Sequence, residues 1–145
     1  MRIAVIADTH DRLPVDLAER LRGAGEIWHL GDVCAPDTLA ELELLGVPLR
    51  VVRGNCDAHP WPVALDLVRE GHRAHLVHIP PRRPPAGAEL VLHGHTHVPR
   101  DGTDPLGVRW LNPGCITRPN RGAPAAFAWL SLERGRAPLW TPEPL

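Results

Sequence analysis

Ile3-Ala4-Val5-Ile6-Ala7 is an unbroken apolar run rich in β-branched residues, and it ends on Asp8-Thr9-His10. Such a run predicts a strand buried on both faces, the usual state of a strand in a parallel sheet. The arrangement returns twice. Glu26–Leu30 closes on Gly31-Asp32, and Val47–Val52 closes on Gly54-Asn55-Cys56-Asp57. Between these runs, Pro14–Arg22 carries Val15, Leu17, Ala18 and Leu21 at helical spacing and stops at Gly23. Pro36–Leu45 carries Leu39, Leu42 and Leu45 on one face and stops at Gly46. Both segments predict helices. Three βα units in a row call for a parallel sheet with right-handed crossovers. Ligands of such sheets gather outside the carboxyl ends of the strands, and the three polar clusters fall there.

After Asp57 the pattern turns to β. Leu65–Val68 and Arg73–Ile79 predict a hairpin through Glu70-Gly71 that closes on His78. Pro80–Gly87 holds four prolines, which exclude a normal helix. Glu89–Leu92 predicts a strand leading into His93-Gly94-His95-Thr96-His97, where Gly94 lets the backbone turn. Val108–Leu111 predicts a strand entering Asn112-Pro113-Gly114-Cys115, and Ala125–Leu132 with Ala137–Trp140 a closing hairpin through Gly135. The expectation is an α/β chain whose first half is parallel βα units and whose second half is mostly β. At 145 residues it is long enough for one core, and we read residues 1–145 as a single domain.

Several function classes lose support at this point. The formal net charge of −1 and the lack of a basic stripe give no electrostatic case for nucleic acid as a bulk partner. No apolar stretch approaches membrane-spanning length. Met1 opens directly into a strand-like run, so no signal peptide is expected. Cys34, Cys56 and Cys115 are scattered and odd in number, which fits a reducing cytoplasm better than a disulfide framework.

The polar clusters share one chemistry. Asp8, His10, Asp32, Asn55, His78, His95 and His97 mix carboxylate, amide oxygen and imidazole. That mixture suits first-row ions such as Mn²⁺, Fe²⁺, Co²⁺, Ni²⁺ or Zn²⁺. Four histidines are too many nitrogens for Ca²⁺ or Mg²⁺. The set exceeds what one tetrahedral ion takes, and two ions sharing Asp32 would use it all. A pair about 3.5–4 Å apart can hold a hydroxide and clamp both oxygens of an in-line phosphoryl displacement.

Asp8-x-His10, Gly31-Asp32, Gly54-Asn55-Cys56-Asp57, His78 and Gly94-His95-x-His97, in that order, resemble the calcineurin-like metallophosphoesterase superfamily. The nearest branch is the small YfcE-type phosphodiesterases, to which the retromer subunit Vps29 is related. The resemblance runs from Met1 to about Arg121. It implies a four-layer αββα sandwich, two divalent metal ions with Mn²⁺ the first choice, and hydrolysis of small phosphoesters through a metal-bridging hydroxide. Asp8, His10, Asp32 and His97 would hold one ion, and Asp32, Asn55, His78 and His95 the other. Asp32, Asn55 and His95 would carry the catalysis. Asn55, with the Gly114-Cys115 turn and Arg118, would meet substrate, while Cys56 and Asp57 would support the ligands. Asn112-Pro113-Gly114-Cys115 is similar to the family's Asn-Pro-Gly-Ser loop, with cysteine in place of serine.

The chain departs from the family at two places. Ile79 stands where a glycine usually follows the histidine matched by His78, and Pro80–Gly87 replaces a helix. The general acid is unassigned, with water or His59 open. Other histidines (His29, His72, His75 and His93) are expected at strand ends or on the surface. The competing reading is a Vps29-like protein-binding scaffold without catalysis, and homo-oligomerisation is left open.

Overall fold

A computed structural model describes all of residues 1–145. Two five-stranded sheets pack face to face. The first sheet contains β1 (Arg2–Ile6), β2 (Glu26–His29), β3 (Leu49–Val51), β9 (Ala126–Ser131) and β10 (Leu139–Pro144), in the order β10-β9-β1-β2-β3. The second contains β4 (Ala64–Arg69), β5 (His72–Val77), β6 (Leu90–His93), β7 (Arg100–Thr103) and β8 (Arg109–Asn112), in the order β4-β5-β6-β8-β7. Within the first sheet β1, β2 and β3 run parallel, and within the second β5, β6 and β8 do. Antiparallel strands close both edges of the second sheet and one edge of the first.

The two-residue period of a strand sorts β1 into both cores. Ile3, Val5 and Ala7 face the second sheet and pack with Trp28, Leu30, Leu76, Leu92, Leu111 and Leu130. Ala4 and Ile6 face the other way, against Leu17, Leu21, Leu39 and Leu42 of the helical layer. Each of these leucine and isoleucine side chains is almost wholly buried, which is worth about 1.5–3 kcal/mol per residue. The parallel βα half and the β-rich half therefore share one core between the sheets, as an αββα layering requires. Helices cover the first sheet only. On the outer face of the second sheet Val91, Val108 and Trp110 form a small cluster, and Pro80–Gly87 runs as irregular chain with no helix.

The helices are shorter than their apolar spacing predicts. Pro14–Arg22 yields α1 over Leu17–Arg20, and Pro36–Leu45 yields a 3₁₀ turn, Pro36–Leu39, running into α2, Ala40–Glu43. The flanking hydrogen bonds explain this, because Leu17 donates to the Pro14 carbonyl and Arg22 to that of Glu19, the tighter three-residue pattern. β10 runs further than expected, through Pro142 and Pro144; an edge strand tolerates prolines that a central one would not. β7 was not expected. Arg100-Asp101-Gly102-Thr103 has no apolar alternation, and it pairs with β8 only as an exposed edge.

Candidate metal centre

The carboxyl ends of β1, β2, β3, β5 and β6 meet at one rim, and each ends in a polar turn. The turns are tight. Asp8, His10, Asp32, His95 and His97 all have left-handed backbones, with φ between 43° and 68°. Non-glycine residues in that region are strained, and such strain concentrates where a side chain must be aimed. Three glycines let the turns approach one another. A Cβ on Gly54 would lie 2.1 Å from Asp32 Oδ1, one on Gly31 2.9 Å from His78 Nδ1, and one on Gly94 3.0 Å from Asp8 Oδ2.

The side chains expected from sequence converge. His97 Nε2 lies 3.3 Å from Asp8 Oδ1 and 3.4 Å from His10 Nε2. Asp32 Oδ2 lies 3.4 Å from His78 Nε2 and 3.9 Å from His10 Nε2, so it reaches both sides of the cluster. Asn55 Oδ1 is 3.0 Å from His78 Nε2 and 3.0 Å from His95 Nδ1. Asp8, His10 and His97 form one set of mutually close donor atoms, and Asp8, Asp32 and His78 another. His78, despite Ile79 and the proline-rich segment after it, is buried and faces the cluster.

The donor set fits cations. His78 Nδ1 faces the Leu30 carbonyl at 2.8 Å, and His97 Nδ1 faces the Arg118 carbonyl at 2.6 Å. A carbonyl only accepts, so both Nδ1 atoms carry the proton and both Nε2 atoms present a lone pair. Those lone pairs point at carboxylate oxygens, an amide oxygen and another imidazole. Acceptors facing acceptors need a proton or a cation between them. The carboxylates carry the same signal. Burial pushes the Asp8 carboxyl up to about 8, with the Asp32 charge adding to the rise and the His95 N–H opposing it. Burial likewise holds His10 and His78 below the usual imidazole range. No lysine or arginine forms an ion pair with Asp8 or Asp32.

Supporting contacts hold the turns. Asp57 accepts hydrogen bonds from the backbone N–H groups of Asp32 (3.0 Å), Cys34 (2.7 Å) and Gly54 (2.7 Å). The Cys56 N–H donates to Asp32 Oδ1 at 2.8 Å. Cys56 Sγ accepts from the Asn55 amide at 3.5 Å and lies in a further group of close donor atoms with His10 and Cys34. Gly114 and Cys115, expected beside substrate, are both buried, and the Cys115 thiol donates to the Asp8 carbonyl at 3.2 Å, so it braces the Asp8 turn. Arg118 contributes its backbone, accepting from His97 and donating to Cys115 Sγ, while its side chain is exposed. His59 stacks on Trp61 at 4.4 Å between ring centroids and makes no contact with the cluster.

Sequence reasoning missed three features. Cys34 Sγ lies 3.7 Å from His10 Nδ1, and nothing in its spacing signals this. His29 and His93 stand at the ends of β2 and β6, as expected, but their burial was not foreseen. The Gly31 N–H donates to His29 Nδ1 at 3.1 Å, and His29 Nε2 lies 3.0 Å from the Thr9 hydroxyl, so the ring ties the first two polar turns together. Burial holds this imidazole down to about 3, neutral at any ordinary pH. Thr9, one residue from Asp8, was the only available hint.

Comparison with known proteins adds the family context. The calcineurin-like phosphoesterase superfamily domain matches residues 1–135. A protein of Methanothermobacter thermautotrophicus described as a probable metallophosphoesterase is 35% identical over 148 aligned positions, spanning 88% of this chain and 84% of that protein. The E. coli phosphoesterase YfcE superposes with a TM-score of 0.77 at 25% identity, over 90% of this chain and 88% of that one. An archaeal phosphodiesterase gives 0.81 at 19% identity over 99% and 100% of the two chains. Vps29 of Entamoeba histolytica, solved with Zn²⁺, gives 0.78 at 19% identity over 99% and 98%. At that identity the last two establish the fold alone. No helix of the chain is long and apolar enough to cross a membrane.

Proposed function

The chain belongs to the calcineurin-like phosphoesterase superfamily, and from that premise we propose that it is a dinuclear metallophosphoesterase hydrolysing small phosphodiesters or phosphomonoesters. The observation that carries this reading is the meeting of unprotonated imidazole nitrogens with Asp8, Asp32 and Asn55 oxygens, with no basic side chain to neutralise them. Asp8, His10, Asp32 and His97 would hold one divalent ion; Asp32, Asn55, His78 and His95 would hold the other. When bound, Mn²⁺ or a neighbouring transition ion (Fe, Co, Ni, Zn) supplies positive charge to the phosphoryl oxygens and acidifies the attacking water.

The protein's own groups do the rest. Asp32 reaches both histidine sides, so its carboxylate sets the spacing of the site. The Asn55 amide Nδ2 has only a weak sulfur partner and is exposed, which frees it to donate to a phosphoryl oxygen. His95 is exposed beside it and completes the charge-stabilising face. No helix of residues 1–145 overhangs the rim, and such an open site suits small esters. Three free cysteines suit a reducing cytoplasm, where we place a protein acting as one domain.

The test is hydrolysis of bis-p-nitrophenyl phosphate by metal-stripped protein with Mn²⁺ added back. Turnover that appears with the ion and disappears with chelator is the expected result. A folded sample inert with every first-row divalent ion would favour the second reading, a Vps29-like binding scaffold, which the shared fold supports.

A further inference from the structure

A cavity of about 580 Å³ opens directly beside the candidate metal centre, and His95 belongs to both. Its walls include Thr96, Arg100, Asn120 and Arg121, and no acidic residue lines it. Neither Arg100 nor Arg121 forms an ion pair, in a protein whose overall charge is −1. Arg100 is held in place by lying over the Trp110 ring, 4.8 Å from its centroid. Arg121 is held by its backbone, which adopts a left-handed φ of 52° and donates to Asn120 Oδ1 at 2.8 Å. The Asn120 N–H donates to the His97 carbonyl at 3.1 Å, so this wall is built onto the turn that bears a candidate ligand. At the back of the cavity His93 is buried, and its Nε2 has no hydrogen-bond partner in the protein. The departures from the family pattern lie on the same side, because Pro80 lines the cavity and a second groove continues from it past Arg82 and Arg83.

Two unpaired guanidinium groups beside a phosphoester site are matched by an anion with several acceptor oxygens. We propose that this cavity is a subsite for a second phosphate on the same substrate molecule, so that the preferred substrate is a phosphodiester carrying a further phosphate group. This deepens, and rests on, the phosphoesterase reading. The reacting phosphate sits at the histidine cluster, and the second is gripped by Arg100 and Arg121.

The test compares thymidine 5′-(p-nitrophenyl phosphate) with its 3′-phosphorylated counterpart, which differ only by the second phosphate. The 3′-phosphorylated ester is expected to show a kcat/KM higher by roughly ten-fold to a hundred-fold, mostly through KM. The double variant Arg100→Gln/Arg121→Gln should erase that advantage and leave the simple ester unchanged. Equal kcat/KM for the two esters in the parent protein, or an advantage that survives the double variant, overturns the subsite. A separate titration of inorganic phosphate into metal-stripped protein separates the two ideas. Phosphate binding that the double variant abolishes upholds the subsite even if neither ester is hydrolysed, in which case the phosphoesterase reading alone falls. Absence of phosphate binding together with absence of turnover overturns both. Arg121→Gln alone, at an exposed position, serves as the second variant should the pair misfold.

Discussion

Asp57 Oδ2 accepts a hydrogen bond from the Asp32 backbone N–H at 3.0 Å, so one carboxylate holds the turn from which another projects. The same carboxylate binds the N–H groups of Cys34 and Gly54 and ties the loop after β2 to the loop after β3. Removing it in Asp57→Ala leaves three donors to find water. We expect a loss of about 2–4 kcal/mol in unfolding free energy and a fall of roughly 10–100-fold in metal affinity. Denaturant unfolding and metal titration of the variant check this. A variant with unchanged affinity would show that Asp57 serves the fold alone.

Asp32 reaches His10 on one side and His78 on the other. Asp32→Ala is therefore expected to lose both ions together, with turnover down by roughly a thousand-fold or more. Asp32→Asn can still accept from the Cys56 N–H and should fold normally while losing the ions, which separates charge from packing. Metal content by mass spectrometry decides it: two ions per chain in either variant would remove Asp32 from the centre.

Gly54 owes its identity to closeness. A methyl there would stand 2.1 Å from Asp32 Oδ1 and 2.3 Å from Asp32 N. Gly54→Ala should cost about 1–3 kcal/mol, a fall of several degrees in Tm, and should displace Asp32 enough to lose metal. Gly102→Ala is the control, because an added Cβ there meets nothing within 4 Å. Equal behaviour of the two variants would mean that the Gly54 contact relaxes without consequence.

The Asp8 carboxyl gives the site a pH signature. Burial lifts it from 3.8 to about 8 in the folded protein, which therefore binds more protons than the unfolded chain between those values. Its contribution to stability is fully present below 3.8 and is lost as pH rises through 8, a loss on the order of a few kcal/mol in metal-stripped protein. Cation binding needs the ionised form, so the rise in Tm on adding Mn²⁺ should grow between about pH 6.5 and 8.5, with proton release. Thermal melts with and without metal across that range measure it. A metal-induced rise independent of pH would show that Asp8 is already ionised.

What the linear chain determined is local in origin. The apolar runs at Ile3–Ala7, Glu26–Leu30 and Glu89–Leu92 specify buried strands. The polar residues that follow each run land at strand ends because backbone geometry leaves them nowhere else. The tertiary structure decided what depends on distant partners. It inserted β9 between β1 and β10, and it made an edge strand of the polar Arg100–Thr103 segment. It buried His29 against Thr9 and Gly31, and turned the Cys115 thiol onto Asp8. It also set Arg100 and Arg121 around a cavity beside His95. Pairing register and side-chain direction are set by which surfaces bury together. A histidine or an arginine looks the same in sequence whether its neighbour is water, a carbonyl or an open pocket.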